Sequence, residues 1–542
     1  MEDVDELTQE EERLLEPFVT NTKSSVFVLR NLPEVIKGAL FSKYSRSPIG
    51  LRKLLLKEFI LNPESGFKEA VNFGVNSGLT ESLAIKKAQD FYDRILDGYG
   101  DDSIGELGGA HLAVENVSNL ATKTIQDARI GGSPLEKSSR YVWFNKKVRG
   151  QYQFFKDPII MASPYAQKYL DTNNFLFDMY TQLVDPMTKF VEEGMPRDDN
   201  VTEAAYKASV RAKVCDSLRG LLPAATLTNM GVFGNGRFFE SLIAKMRCHD
   251  LREMHDVGQS IQGELDKVIP SFVRRSQADH RHFIPYQKYT IETTRGVRAA
   301  SRAVIGNAPI ETADEVELVE YDADAEIKVV ASLMYQHTHH SHHQLLKVAR
   351  NMTYDERLGI IREALVRREN RRHKPVRAFE NATYKFDILG DFGIYRDLQR
   401  HRMLTQERQD LTVIHGYDMP KDIVDAGLER QYREAMEVAK DTYNTIVLNY
   451  PKEAQYVVPF AYRVRWYNTI NLRALGWMAE LRSIRQGHPN YRRVAQKMYT
   501  KVRAVHPALA ESLRFVDMND YTFARLEAEM KKENKQKKLV SP

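Results

Sequence analysis

Residues 223–237 read PAATLTNMGVFGNGR, and residues 459–473 read PFAYRVRWYNTINLR. The two stretches share one pattern, in which a proline is followed after 11 residues by an Asn-x-Arg triplet that begins at Asn235 or at Asn471. The copies lie about half the chain length apart. The sequence therefore predicts that one fold occurs twice.

A second pair of features supports the duplication. Glu106 precedes Arg129 by 23 residues, and Glu380 precedes Arg402 by 22. We therefore predict five segments: an acidic tail (1–20), a first repeat (21–275), a linker (276–312), a second repeat (313–515) and a C-terminal extension with a Lys-rich tail (516–542). Both tails are expected to be solvated or frayed, and the linker to contain a short basic helix.

Helix dominates the predicted secondary structure. Apolar residues recur at three- and four-residue steps, which predicts long helices at 166–195, 201–220, 236–268, 346–369, 425–449, 470–485 and 490–504. Runs of β-forming residues predict strands at 26–29, 315–321 and 384–389. The expected fold class is α+β, with a modest antiparallel sheet in each repeat.

The composition is that of an ordinary globular protein. Of 542 residues, 42% are hydrophobic and 28% are charged, and the length suggests two to four domains. No stretch approaches the roughly 18 uncharged apolar residues that cross a bilayer, and the acidic start is unlike a signal peptide. We expect a cytoplasmic protein. The net charge of +5 is slight and argues neither for nor against nucleic acid.

Cysteine and histidine suggest no metal site. Two cysteines, Cys215 and Cys248, exclude a disulfide framework and a Cys-rich zinc site, and buried structural thiols are favoured over a nucleophile. Five histidines crowd into residues 337–343, where His339 and His343 have the spacing of a helical metal pair. No acidic base lies between them, so we favour a polar surface cap before a helix.

Two short segments carry the chemistry. Arg400-His401-Arg402 places three cationic or potentially cationic side chains in a row, which is costly unless an anion or an electron-rich ring lies among them. A phosphate-bearing or redox cofactor would serve, and a solvated charged helix end is the alternative. Ser138 and Arg140 can point the same way on an extended chain and form a phosphate clamp, although such pairs are also common in loops.

These pieces resemble the flavin-dependent thymidylate synthases, whose signature is R-H-R-x-x-S-x-N-E-x-S-x-R-Y. The signature is split between the halves. The second half keeps R-H-R at residues 400–402, has Thr405 for the first serine and lacks S-x-R-Y. The first half has Asp127-Ala128-Arg129 in place of R-H-R and one extra residue before the serines. It keeps the later positions as Ser133, Glu136, Ser138, Arg140 and Tyr141.

Two further stretches extend the resemblance. Asn471 to Arg482 is similar to the family's C-terminal helix, and the spacing of 11 residues puts both ends on one helical face. Residues 99–118 resemble an H-x-S-x-x-E-H…G-V-S stretch, with Asp101 or Asp102 and Leu107 in place of the histidines.

The resemblance implies an activity and a set of site residues. FAD would be held by Arg400, His401, Arg402, Glu380 and Asn471. The nucleotide dUMP would be held by Ser133, Glu136, Ser138, Arg140, Tyr141 and Arg482. The flavin, reduced by NADPH, would mediate carbon transfer from methylenetetrahydrofolate to the uracil ring, without an enzymic nucleophile. Arg482 is the candidate catalytic residue, since an arginine near the uracil would stabilise negative charge.

The splitting leaves alternatives open. Family sites are assembled from several subunits of a tetramer, so two repeats could complete one site, and a homodimer of this chain would imitate that tetramer. The expected partners are dUMP and folate, with neither nucleic acid nor a membrane. Half-signatures could instead mark decay to an inactive flavin- or nucleotide-binding paralogue, or to a structural protein.

Overall fold

The computed structural model describes residues 6–45, 47–62, 105–128 and 130–540, which fall into two compact units. The first unit comprises Met1–Glu115, Ala128–Glu136 and Asn229–Ala308, and the second comprises Asn116–Asp127, Lys137–Thr228 and Pro309–Pro542. The predicted first repeat is thus shared between the units, whereas the predicted second repeat lies in the second unit. Among the described residues, no helix is both long and apolar enough to cross a membrane.

The strands form two sheets of the same topology. They are β1 Gly109–Ser118, β2 Gly132–Glu136, β3 Leu227–Asn235, β4 Val316–Tyr321, β5 Thr383–Asp391, β6 Leu404–Arg408 and β7 Arg463–Asn471. One sheet has the order β1-β3-β2 and the other β4-β5-β7-β6. Because β1-β3-β2 and β5-β7-β6 follow the chain in the same sequence, the duplicated α+β fold is confirmed. The strand β4 adds an edge that has no counterpart among the described strands of the first sheet.

The repeated asparagine has the same role in both sheets. Asn235 ends β3 and caps the helix Gly236–Arg247, where its side-chain oxygen accepts a hydrogen bond from the Phe238 amide at 2.9 Å. Asn471 ends β7 and caps the next helix in the same way, also at 2.9 Å. An N-cap oxygen satisfies an amide that would otherwise lack a helical partner. This strand-to-helix turn explains why the Asn-x-Arg triplet recurs.

The arginine of the triplet also repeats its contact. Arg237 donates to Glu106 at 2.8 Å in the first unit, and Arg473 donates to Glu380 at 2.8 Å in the second. Each recurring glutamate therefore pairs with the arginine of the Asn-x-Arg triplet in its own repeat. The spacings in the sequence did not show this pairing.

Helices account for most of the remaining described residues. They are Gln9–Leu15, Glu34–Tyr44, Leu51–Leu55, Asn119–Asp127, Pro158–Met161, Ala166–Gly194, Glu203–Leu218, Gly236–Arg247, Arg252–Leu265, Pro270–Val273, Phe283–Ile305, Ala325–Tyr335, His342–Asn351, Tyr354–Leu365, Phe392–Leu398, Lys421–Asp425, Glu429–Ile446, Leu472–Arg482, Pro489–Val505, Pro507–Ala510 and Leu526–Val540. The regions predicted as single helices at 236–268 and 346–369 each contain more than one helix. In the second region, Thr353 begins a new helix with a capping box.

Three local predictions are wrong. Residues 26–29 form no regular strand, and Leu29 pairs with Val19 in an isolated bridge. Residues 6–20 are not a frayed tail, since Leu15 is fully buried at the end of its helix. The linker helix Phe283–Ile305 spans 23 residues and is longer than the short helix predicted.

Within the second unit, the two prolines of the repeated pattern meet. Pro223 and Pro459 form an antiparallel bridge. On one side the Ala224 amide donates to the Val458 carbonyl at 2.9 Å, and on the other the Phe460 amide donates to the Leu222 carbonyl at 2.9 Å. This reciprocal pairing resembles the contact of two subunits about a two-fold axis. It joins residues 137–228 of the first repeat to the second repeat.

Candidate functional site

A cavity of about 350 Å³ lies in the second unit between β6 and the helix Leu472–Arg482. Its lining includes Lys374, Glu380, Arg400, His401, Arg402, Met403, Asn471, Arg473, Trp477 and Arg482. The R-H-R segment reaches the cavity because it connects the helix Phe392–Leu398 to β6. All the residues proposed from the sequence to hold the flavin lie on this one cavity. Their role in binding stays a prediction.

Arg482 fixes the protonation state of His401. Its Nε–H donates to His401 Nε2 at 3.0 Å, which requires this ring nitrogen to be an unprotonated acceptor. Burial, and then the charge of Arg482, lowers the pKa of His401 well below its ordinary value. Burial also lowers the pKa of Arg482. The R-H-R segment thus presents a neutral histidine between two arginines.

Several arginine charges act on the carboxylate of Asp397. It accepts a hydrogen bond from Arg219 Nη1 at 3.2 Å. Burial alone would raise the pKa of its carboxyl, but nearby guanidinium groups hold that pKa below its usual range. In decreasing order of effect, they belong to Arg219, Arg400, Arg140 and Arg482. One carboxylate therefore interacts with arginines from both predicted repeats.

Arg140, from the S-x-R-Y segment, is buried in a second ion pair. Its guanidinium donates to both carboxylate oxygens of Asp216, at 2.7 and 2.8 Å, and to the Tyr491 hydroxyl at 2.7 Å. A planar fork on two carboxylate oxygens is also the geometry with which arginine binds phosphate. The predicted phosphate ligand thus holds an internal anion in this structure.

Tyr491 connects the two predicted half-sites. The guanidinium carbon of Arg140 lies 5.3 Å from the centre of its ring, and that of Arg482 lies 5.6 Å from the same centre. These distances are in the range of cation–π contact. The structure therefore brings Arg140 of the first repeat and Arg482 of the second together around one aromatic ring within a single chain.

The other residues of the first half-signature lie in two places. The Ser138 hydroxyl accepts a hydrogen bond from the Arg140 amide at 3.2 Å, and the Tyr141 ring is half exposed beneath the guanidinium of Arg525 at 4.4 Å. Ser133 and Glu136 lie on β2, in the first unit. The first is exposed and the second is buried. Arg129, Asp101 and Asp102 fall outside the described residues.

Strand register fixes which positions correspond between the repeats. Ser133 pairs with Phe233, two residues before the capping Asn235, and Thr405 pairs with Thr469, two residues before Asn471. Counting on from these positions, Asp410 and Thr412 stand where the first repeat has Ser138 and Arg140. Asp410 forms an ion pair with Lys452 at 2.7 Å. The second repeat therefore carries an acid where the first has a serine.

Several residues of the site gave no signal in the sequence. Asp216 and Arg219 lie at the end of the helix Glu203–Leu218, and His488 and Tyr491 lie at the start of the helix Pro489–Val505. Nothing in an isolated aspartate or tyrosine at a helix end marks a site. The prolines of the repeated pattern were the nearest signal, since Arg219 lies four residues before Pro223.

Burial raises the pKa of both cysteine thiols. Burial raises the pKa of the Cys215 thiol to about 12, so this residue is protonated at neutral pH. In the part of the chain that the structure describes, no group of three or more His, Cys, Asp or Glu side chains is arranged to hold a metal ion. The histidine cluster at residues 337–343 leads into the helix that begins at His342, and Ser341 caps this helix.

Known proteins similar to this chain include two relatives of nearly the same length and one solved structure. A UPF0159 protein of Chlamydia pneumoniae is 48% identical over 531 residues and covers 98% of each chain. A UPF0159 protein of Thermoplasma acidophilum is 34% identical over 522 residues, covering 92% of this chain and 98% of its own. A crystal structure of the UMP/dUMP methylase PolB from Streptomyces cacaoi, bound with 5-Br dUMP, is 23% identical and covers 37% of this chain and 94% of its own, with a TM-score of 0.29.

The family model described as thymidylate synthase complementing protein matches this chain twice, at residues 62–271 and at residues 317–508. One match lies within each of the predicted repeats (21–275 and 313–515), and together the matches cover most of the chain. This chain therefore belongs to the thymidylate synthase complementing protein family, the flavin-dependent thymidylate synthases, and carries the family's domain in two copies.

Proposed function

We propose that this chain is a flavin-dependent thymidylate synthase that methylates dUMP to dTMP with methylenetetrahydrofolate, FAD and NADPH. One observation carries the proposal. Arg140 of the first repeat and Arg482 of the second lie on one tyrosine ring, at 5.3 and 5.6 Å. Each repeat has lost the part of the signature that the other keeps, so their convergence within one chain supports a single shared site.

The residues around the cavity fit a flavin nucleotide. Arg400, Arg402 and Lys374 supply cations for a pyrophosphate, and Trp477 offers a flat apolar face for a ring. A volume of about 350 Å³ is at the small end for ligand cavities, so it would hold only part of the dinucleotide. When bound, FAD would supply the hydride that reduces the transferred carbon.

The protein groups have separate tasks in this proposal. Arg140 would hold the nucleotide phosphate with its fork, in place of Asp216. Arg482 would stabilise the negative charge that develops on the uracil ring, the kind of electrostatic effect that commonly contributes most to catalysis. His401, held neutral by the Arg482 N–H, would accept a hydrogen bond without adding a third positive charge to the R-H-R segment. The protonated Cys215 is consistent with a reaction that needs no enzymic nucleophile.

The alternative is an inactive FAD- or nucleotide-binding paralogue. The observation in its favour is the bidentate pair between Arg140 and Asp216, which occupies the group that must bind phosphate. A homodimer that imitates a tetramer of single repeats, and a place in the cytoplasm, complete the proposal.

Two measurements on the purified protein separate these readings. We expect a flavin absorbance band, and dTMP formation when dUMP, methylenetetrahydrofolate and NADPH are added. Arg482→Ala should lower the rate by roughly 10²- to 10³-fold, as does loss of one transition-state donor elsewhere. The exposed Arg503→Ala is the control and should retain the rate. Bound flavin without dTMP would favour the paralogue, and absence of both would refute the proposal.

Nucleotide binding tests the phosphate assignment separately. Arg140→Ala removes a charge-assisted contact of roughly 1.5–3 kcal/mol, so the Kd for dUMP should rise about ten- to hundredfold in calorimetric titration. An unchanged Kd would show that the phosphate is bound elsewhere.

A further inference from the structure

Arg525 is a buried cation with an unused hydrogen-bonding group. The residue is only 6% exposed, yet none of its three guanidinium nitrogens has a hydrogen-bond partner among the described residues. Leaving a buried charged group without hydrogen bonds is costly, so such a group calls for an explanation. The residue follows the segment that matches the family model, which ends at residue 508.

The C-terminal extension holds Arg525 beside the Arg140–Asp216 pair. Phe523 packs edge-on against Tyr206 at 6.2 Å, and Glu533 accepts a hydrogen bond from Thr202, at the start of the helix that carries Asp216. Arg525 Nη2 then lies 3.6 Å from Asp216 Oδ2. A shift of about 0.8 Å would bring this distance to an ordinary 2.8 Å hydrogen bond.

Asp216 poses a problem for any anion that binds Arg140. Its side chain is only 12% exposed, and its carboxylate accepts both of its close hydrogen bonds from Arg140. If Arg140 turned toward a phosphate, Asp216 would be left as a largely buried charge without a hydrogen-bonded counter-ion, which is strongly destabilising. A second guanidinium at 3.6 Å removes that penalty.

We propose that Arg525 is a reserve counter-ion, which pairs with Asp216 when Arg140 moves to the phosphate of a bound nucleotide. The inference rests on the proposed function, because it takes a nucleotide phosphate to be the ligand of Arg140. Arg525 is thus a positioning residue, and the C-terminal extension is part of the binding site.

A double-mutant cycle measures this exchange. Arg525→Gln should raise the Kd for dUMP at least tenfold, because Arg140 can then leave Asp216 only by stranding it. Arg525→Lys, which keeps the charge, should lose much less. Adding Asp216→Asn to Arg525→Gln should restore a Kd at or below that of the wild type, since no carboxylate remains to be neutralised. A double variant as weak as Arg525→Gln, or an unchanged Kd in Arg525→Gln, would overturn the exchange.

A second readout needs only the single variant. The groups that face Asp216 are Arg140, Arg525 and His488, whose Nε2 lies 3.3 Å from the Asp216 carbonyl oxygen. Between pH 7.5 and 8.5 a phosphate monoester is already a dianion, so wild-type binding should take up no proton. In Arg525→Gln, the stranded Asp216 should bind a proton when the ligand binds, and the Kd should rise with pH. Equal pH dependence in both proteins would contradict the exchange.

The probes separate this inference from the proposed function. Inorganic phosphate is titrated alongside dUMP in every variant. A wild-type protein that binds phosphate but not dUMP would refute the proposed function and leave the exchange to be decided by the same variants. Normal dUMP binding with the wrong variant pattern would refute the exchange alone, and binding of neither probe would refute both.

Discussion

Replacing Asp397 by asparagine should destabilise the second unit and make it respond strongly to phosphate. The change keeps the shape of the side chain and removes the carboxylate that Arg219 contacts at 3.2 Å. Arg219 is buried, and among the described residues its Nη2 already lacks a hydrogen-bond partner. Breaking a buried pair by removing one partner costs roughly 3–5 kcal/mol, so we expect a loss of that size in the free energy of unfolding.

The assay is urea unfolding with and without added phosphate. Because Arg219, Arg400, Arg140 and Arg482 all lower the pKa of Asp397, its carboxyl contributes stability above the unfolded-state pKa of about 4, and this is lost as the pH falls through the lower folded-state pKa. The difference between the variant and the wild type should therefore be constant from pH 5.5 to 8.

The cluster becomes more cationic in this variant, so phosphate should recover more stability in it than in the wild type. Asp441→Asn is the matched control. Its side chain is 73% exposed in a surface pair with Lys168, which should be worth less than about 1 kcal/mol. If Asp397→Asn unfolds like the control, or gains nothing extra from phosphate, the reasoning about the arginine cluster is wrong.

Three further predictions concern the flavin, the histidines and the tandem arrangement. The double variant Arg400→Ala, Arg402→Ala should bind flavin at least tenfold more weakly, as measured by the flavin absorbance of the purified protein. The control Arg430→Ala changes an exposed residue and should keep its flavin. Equal flavin content in both variants would exclude the R-H-R segment as the binding site. Burial and the charge of Arg219 lower the pKa of His488 well below 6.5, so the free energy of unfolding should fall as the pH drops below about 6.5, by up to about 1.4 kcal/mol per pH unit for this group. The variant His488→Asn can still cap its helix and should flatten that slope. An unchanged slope would contradict the assignment. A chain divided after Gly306, beyond the end of the linker helix, should rescue a thymidine-requiring host only when both fragments are co-expressed, and growth with one fragment would refute the shared site.

Features encoded locally were predicted well from the sequence. The duplication was predicted from the repeated Pro-to-Asn spacing, which depends on one strand and the helix after it, so a single stretch contains the whole signal. The run at 26–29 was misread because β-forming residues make a strand only when a partner strand is available, and the sequence does not show that partner. The break before Thr353 was readable, since Thr353 and Glu356 form a capping box.

The sequence indicated only those residues of the candidate site that belong to a recognisable motif. Arg400 and His401, which the resemblance assigns to the flavin, line one cavity together with Arg482, and their roles stay predictions. The partners of Arg140 were missed because they lie 76 and 351 residues further along the chain, at Asp216 and Tyr491. Tertiary packing decides which acid neutralises a buried arginine, and a single sequence does not show that pairing.

The bridge between Pro223 and Pro459 has a consequence for how the site responds to dilution. A site built from separate subunits falls apart once the protein concentration drops below the dissociation constant of the assembly. In the shared site that we propose, both parts belong to one chain, so their encounter is intramolecular and its probability does not depend on the protein concentration. Specific activity per chain should then remain constant down to concentrations at which an oligomer of single repeats would have dissociated.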